Sequence, residues 1–186
     1  MDLMDFFIDN PIIAAVNSDC KLNEALSSPS NIIFLLYGDI FNLETNVNII
    51  KKHNKKVFVH FDLIKGFSSD SCSLKYVHEK IQPDGIITTK STIVKKAKSL
   101  NFFVIQRLFV LDSLSIDTGI HSVKSVHPDA IEIMPGIVPK ITKIISNTFS
   151  VPIICGGLIN QKKEIIDSLG AGATCVSTSC AELWYS

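Results

Sequence analysis

The feature that most constrains this chain is a rhythm. Short apolar runs rich in β-branched residues alternate with stretches of helical spacing, and a polar or glycine-bearing turn follows most of the runs. Strands are predicted at Ile12–Val16, Ile32–Tyr37, Val57–Phe61, Gly85–Thr88, Phe103–Arg107, Ala130–Met134, Pro152–Cys155 and Thr174–Ser177. Helices are predicted at Leu22–Ser27, Leu43–His53, Ser71–Ile81, Thr92–Leu100, Asp112–Val126, Ile137–Thr148 and Gln161–Leu169, with a terminal turn around Ala181–Trp184. In the second helix Leu43, Val47 and Ile50 share one face while Glu44, Lys51 and Lys52 point away, so it packs by a single stripe. A continuous apolar run such as Ile32–Tyr37 implies burial on both faces, as in a parallel sheet enclosed by helices.

Eight such units predict an α/β fold, a compact (β/α)8 TIM-type barrel that takes up 1–186 as one domain with shortened terminal helices. The length of 186 residues is tight, since this architecture typically uses about 250. An open doubly wound sheet is the alternative, but eight alternations with polar residues after most strands favour closure.

Composition narrows the partners. With 46% hydrophobic residues the chain can bury a sizeable core. Eighteen Lys and Arg balance eighteen Asp and Glu, so a nucleic acid or anionic surface must be held by a local patch. The five cysteines, Cys20, Cys72, Cys155, Cys175 and Cys180, are scattered and form no CxxC, which argues for reduced thiols rather than disulfides or structural zinc. Acidic residues at the start (Asp2, Asp5, Asp9) argue against a signal peptide, and no apolar run approaches the ~18 residues of a membrane span. A cytoplasmic protein with no membrane contact is expected; homo-oligomerisation is left open.

In such barrels function gathers where strands end at the carboxyl face. Asp39 follows strand two, His60 and Asp62 close strand three, Thr89 and Lys90 follow strand four, and Gln106 and Arg107 end strand five. Glu132 lies within strand six, Gly156 and Gly157 follow strand seven, and Ser177, Thr178 and Ser179 end strand eight. The last two loops form the expected phosphate site: Gly156 and Gly157 let an anion approach main-chain N–H groups, and Ser177, Thr178 and Ser179 add hydroxyls before a helical turn. The plain alternative is that the glycines only turn the chain and the serines cap a helix.

Lys90 is expected to pair with phosphate, with a solvated loop lysine or a Schiff-base nucleophile as alternatives. By strand alternation Glu132 faces opposite to Ile131 and Ile133, and Arg107 is its natural partner, either as an ion pair or dividing ligand hydroxyls and phosphate between them. His60 and Asp62 share parity and could form an acid/base couple or part of a metal site, although no third ligand is spaced to join them; no metal is expected. Asp39 and Asp62 could bind ligand hydroxyls or cap helices. The basic run Lys51–Lys56 lies at the opposite, amino-end face and reads as a solvated helix terminus, whereas Lys95, Lys96 and Lys98 on helix four, with Lys140, Lys143, Lys162 and Lys163 on two others, would form a phosphate-backbone footprint if several align on one side of the ring.

Several segments together resemble the glycerol uptake operon antiterminator regulatory protein family. They are Phe34–Leu43, Lys56–Gly66, Pro83–Lys90, Ile105–Ser113, Pro128–Gly136, Pro152–Ile159 and Val176–Ser179, in family order over about residues 32–184. Gln106-Arg107, Asp112-Ser113 and the stretch from Glu132 to Gly136 are the specific signatures. The resemblance implies a barrel that senses glycerol 3-phosphate without a cofactor. In that state it would act on leader mRNA of glycerol-utilisation genes so that transcription reads past a terminator. It implies a regulator, not an enzyme, and makes Lys90, Arg107, Glu132, Gly156, Gly157, Ser177 and Thr178 the candidate effector pocket. The sequence departs from the family pattern at Lys65, Met134, Cys155 and Cys180. The competing reading is an enzyme that acts on a phosphorylated triose or sugar through Lys90, His60 and Asp62; a weaker one is a sensor whose output is contact with a protein.

Overall fold

The computed structural model describes Phe7 and residues 10–186; the acidic start at Asp2, Asp5 and Asp9 lies outside the described residues. The strands are β1 (Ile12–Val16), β2 (Ile32–Leu35), β3 (Lys56–His60), β4 (Gly85–Thr88), β5 (Phe103–Phe109), β6 (Ala130–Met134), β7 (Ile153–Gly156) and β8 (Cys175–Thr178). Each pairs in parallel with the next, and β8 returns to β1, so the sheet closes into the expected TIM-type barrel and not the open alternative. Between the strands run α1 (Asp19–Ser27), α2 (Leu43–Lys52), α3 (Ser71–Tyr76), α4 (Ser91–Ser99), α5 (Ser113–Val126), α6 (Pro139–Thr148) and α7 (Lys162–Gly170). The eighth helix is reduced to a 3-10 turn, Ala181–Tyr185. None of the described helices is long and apolar enough to cross a membrane.

Boundaries differ from expectation where a side chain intervenes. α1 starts at Asp19 because the Ser18 hydroxyl accepts the Lys21 N–H at 3.4 Å, closing the first turn early. β2 stops at Leu35, and beyond it Tyr37 donates its phenol to Asp19 Oδ1 at 2.8 Å. The expected helix over 71–81 becomes α3 followed by a π-helical turn, Val77–Ile81, which ends at left-handed Gln82 (φ 54°). β5 runs on to Phe109, so Arg107 lies within the strand and not at its end.

Strand alternation sorts the core. One set of residues, including Ile33, Val59, Val104 and Val176, packs outward against the helices. The other set fills the lumen: Ile13, Phe34, Phe58, Ile87, Ile105, Ile154 and Cys175. Phe7, which no periodicity marks, joins this inner set, fully buried with its ring 5.9 Å from Phe58 and 6.0 Å from Phe103. The amino half of the barrel is thus an apolar, aromatic plug, and among the described residues the polar lumen side chains lie toward the carboxyl mouth.

The basic run that ends α2 is structural. Buried Lys55 donates to the carbonyls of Ser28 and Ser30, each at 2.7 Å, and burial lowers its pKa. Lys56 pairs with Asp84 at 2.9 Å, and Lys51 donates to the Gln82 carbonyl.

Candidate functional site

At the mouth, β5, β6, β7 and β8 each bring one lumen-side residue together: Arg107 is the register partner of Glu132, and Gly156 that of Ser177. Glu132 is fully buried, where an unpaired carboxylate would be costly. Arg107 Nε lies 2.6 Å from its Oε2, and the Ser177 hydroxyl donates to its Oε1 at 2.7 Å. Gly156 makes room for this triad. A Cβ there would lie 2.6 Å from Glu132 Oε1 and press against Ser177 Oγ as well.

Above the triad opens a cleft of about 120 Å³, lined by Arg107, Glu132, Gly157, Ser177, Thr178 and Ser179. That is below the range of drug-sized pockets and suits a small polar guest. Gly157 has φ +77°, a left-handed conformation that a side chain disfavours. It turns the chain back over the cleft, where Met134 closes one side. The loops after β7 and β8, expected to hold a phosphate, line the same cleft. Thr178 has a different task, however: its hydroxyl donates to the Ile159 carbonyl at 2.7 Å, while its own carbonyl accepts the Trp184 indole N–H at 2.8 Å. It locks the terminal turn to β8.

His60 ends β3 on the lumen side, 2% exposed, with Nδ1 unpartnered. Burial, aided by the nearby Arg107 guanidinium, lowers its pKa to about 4, so the imidazole is neutral at neutral pH and can donate or accept a hydrogen bond.

The remaining predicted residues divide into structural groups. Asp62 accepts from the Thr88 hydroxyl at 3.0 Å, from the Thr89 N–H at 2.8 Å and from the Thr89 hydroxyl at 3.1 Å, stitching the loop after β3 to that after β4. Lys90 is half exposed, 4.0 Å from Asp62 and 2.8 Å from Ser69 Oγ, and does not line the cleft. Asp39 accepts the N–H groups of Phe41 and Asn42 at 2.8 and 3.2 Å and so serves its own turn. Gln106 points outward, away from Arg107, and donates to Ser122 of α5 at 2.8 Å; strand parity places successive residues on opposite faces.

Sequence reasoning missed Asn17, Leu36 and Leu158, which complete the cleft. Asn17 follows β1 directly, so the strand-end rule could have found it; Leu36 and Leu158 carry no such signal.

Fold and site together define a class: a (β/α)8 barrel with a small polar cleft over the ends of its last strands. The sequence profile described as "Glycerol-3-phosphate responsive antiterminator" matches residues 12–184, and the chain belongs to that family. Among solved structures it is similar to the glycerol uptake operon antiterminator regulatory protein of Listeria monocytogenes, at 32% identity and TM-score 0.90, covering 93% of this chain and 94% of that one. It is also similar to a glycerol uptake operon antiterminator-related protein of Thermotoga maritima, at 31% identity and TM-score 0.84 over 94% and 98% of the two chains. The uncharacterised YgcP of Escherichia coli K12 is 34% identical over 99% of this chain and 96% of its own length. A putative deoxyribose-phosphate aldolase from Coccidioides immitis shares the fold alone, at 12% identity and TM-score 0.76 over 96% of this chain and 84% of that one.

Proposed function

We propose that this protein is a cytoplasmic antiterminator whose effector is glycerol 3-phosphate and whose loaded form binds leader mRNA of glycerol-utilisation genes. The observation that carries the reading is the convergence of Gly157, Ser177 and Ser179 with the Arg107–Glu132 pair on one small cleft. The ester phosphate sits at the Gly157 and Ser179 backbone, with the Arg107 guanidinium as counter-charge. The glycerol hydroxyls meet Glu132, whose charge is balanced by Arg107.

Thermal unfolding with glycerol 3-phosphate, glycerol and inorganic phosphate in parallel tests the effector. Saturation at a hundred times the dissociation constant stabilises by about 2.7 kcal/mol. Glycerol 3-phosphate is expected to give that shift and glycerol none; the absence of any shift at millimolar glycerol 3-phosphate overturns the assignment. Filter binding of a leader transcript, with and without the effector, tests the output across low salt. Incubation with a panel of sugar phosphates is expected to yield no product, and turnover would restore the enzyme reading.

A further inference from the structure

Five described residues other than glycine hold a left-handed backbone, and four of them share one explanation. Asn54, Gln82, Asn101 and His127 each follow a helix or helical turn, carry a polar side chain and return their N–H to one of its carbonyls: that of Lys51 at 2.9 Å, Val77 at 2.8 Å, Lys98 at 3.0 Å and Val123 at 2.9 Å. The capping bond offsets the conformation. The fifth is Leu158 (φ 63°), in the loop after β7, where no helix precedes it. Its N–H and carbonyl make no main-chain bond with any described residue. A side chain is disfavoured in this region because its Cβ crowds the following carbonyl oxygen.

Burial does not offset the cost either. Leu158 is 69% exposed, whereas its neighbour Ile159 is buried and packs in the outer core. Leu158 lines the small cleft at the mouth, alongside Leu36 and Met134 and together with Arg107. An exposed apolar side chain on a strained backbone adds no stability to the fold by itself, and strain of this kind gathers where a bound molecule makes use of it.

We propose that Leu158 is a specificity-determining residue of the cleft: its side chain closes over a bound phosphate monoester, shields the phosphate and Arg107 from water, and excludes a second ester substituent. This inference rests on the effector reading above and names the chemical class that the site accepts. Attraction between a guanidinium and a phosphate grows as water is withdrawn from around them, and falls with salt where they stay wet. Covering the ligand also withdraws the leucine from water, which offsets its strained backbone. In a cleft of about 120 Å³ a second chain on phosphorus has to displace that cover.

The test is calorimetric titration of the full chain with glycerol 3-phosphate and with glycerol 3-phosphocholine, a diester of the same alcohol. Leu158→Asn removes the apolar cover while keeping a residue that accepts the left-handed backbone. Leu158→Ala shortens the cover. Leu111→Asn makes the same change at a residue that is 86% exposed at the same mouth but does not line the cleft. Wild type and Leu111→Asn are expected to bind the monoester and not the diester. Both Leu158 variants are expected to bind the monoester about tenfold more weakly, the scale of burying most of a leucine side chain, and to lose affinity more steeply as salt rises. Diester binding should become measurable in Leu158→Ala. Thermal midpoints of both Leu158 variants without ligand are expected to be no lower than that of wild type.

Unchanged monoester affinity in both variants, or a wild type that binds the diester as tightly as the monoester, overturns this role and leaves the effector reading standing. A midpoint lowered by about 5 °C or more in Leu158→Asn assigns the residue to packing and overturns the role as well. Absence of wild-type binding to both ligands overturns the effector reading along with it.

Discussion

Arg107 and Glu132 face one another across the β5–β6 register, 2.6 Å apart, and are almost completely withdrawn from solvent. A buried pair of this kind is a poor source of net stability, yet removing one partner strands the other charge. Glu132→Gln is therefore expected to destabilise the protein by about 3–5 kcal/mol in urea unfolding at neutral pH. The paired replacement Arg107→Met with Glu132→Met is expected to recover most of that loss while the glycerol 3-phosphate shift stays absent. Recovery of both would show that the pair has no part in the ligand site.

Gly156→Ala places a methyl group against Glu132 Oε1 and Ser177 Oγ. Overpacking of this sort costs about 1–3 kcal/mol. Calorimetric titration is expected to show effector binding lost in this variant, because the carboxylate must move away from Ser177. Unchanged binding would mean that the triad tolerates displacement.

His60 gives the protein a pH dependence with a definite sign. Its pKa is lowered from about 6.5 in the unfolded chain to about 4 in the fold, so between those values the unfolded state binds more protons. Stability from this group is fully present above about pH 6.5 and is lost as pH falls toward 4, by up to about 3 kcal/mol. Urea midpoints measured across that window should fall for the wild type and remain flatter for His60→Gln. Parallel profiles would remove His60 as the cause.

Phe58 touches Phe7, Phe34 and Phe103 within the aromatic plug, with ring centroids 5.6 to 5.9 Å apart. Phe58→Ala should destabilise by about 3–5 kcal/mol. Because the plug lies at the end of the lumen opposite the cleft, the variant should keep its thermal response to glycerol 3-phosphate at temperatures where it remains folded. A lost response would show that the two ends of the lumen are coupled.

The barrel was legible in the order of residues because its signals are local. Eight β-branched runs and the helical stripes between them follow from backbone periodicity, and both survive folding nearly unshifted. The glycine and serine loops after β7 and β8 were legible for a similar reason, since a strand end is a strand end wherever the sheet goes. Side-chain direction was harder. Gln106 and Arg107 are neighbours in sequence, yet one faces α5 and the other the lumen. Thr178 and Asp39 look like ligand groups until their hydroxyl and carboxylate are found to be engaged by nearby backbone.

By itself, then, the order of residues determined the eightfold alternation, the face at which polar groups gather and the family to which the chain belongs, since each is written in spacing or in contiguous motifs. Closure of the sheet decided the rest. Bringing β8 beside β1 and β5 beside β6 set Ser177, Glu132 and Arg107 against one another, placed Phe7 in the floor of the lumen, and left Lys90 on the rim. Contacts between residues distant in sequence depend on register and parity summed around the whole barrel, and no short stretch of the chain contains that sum.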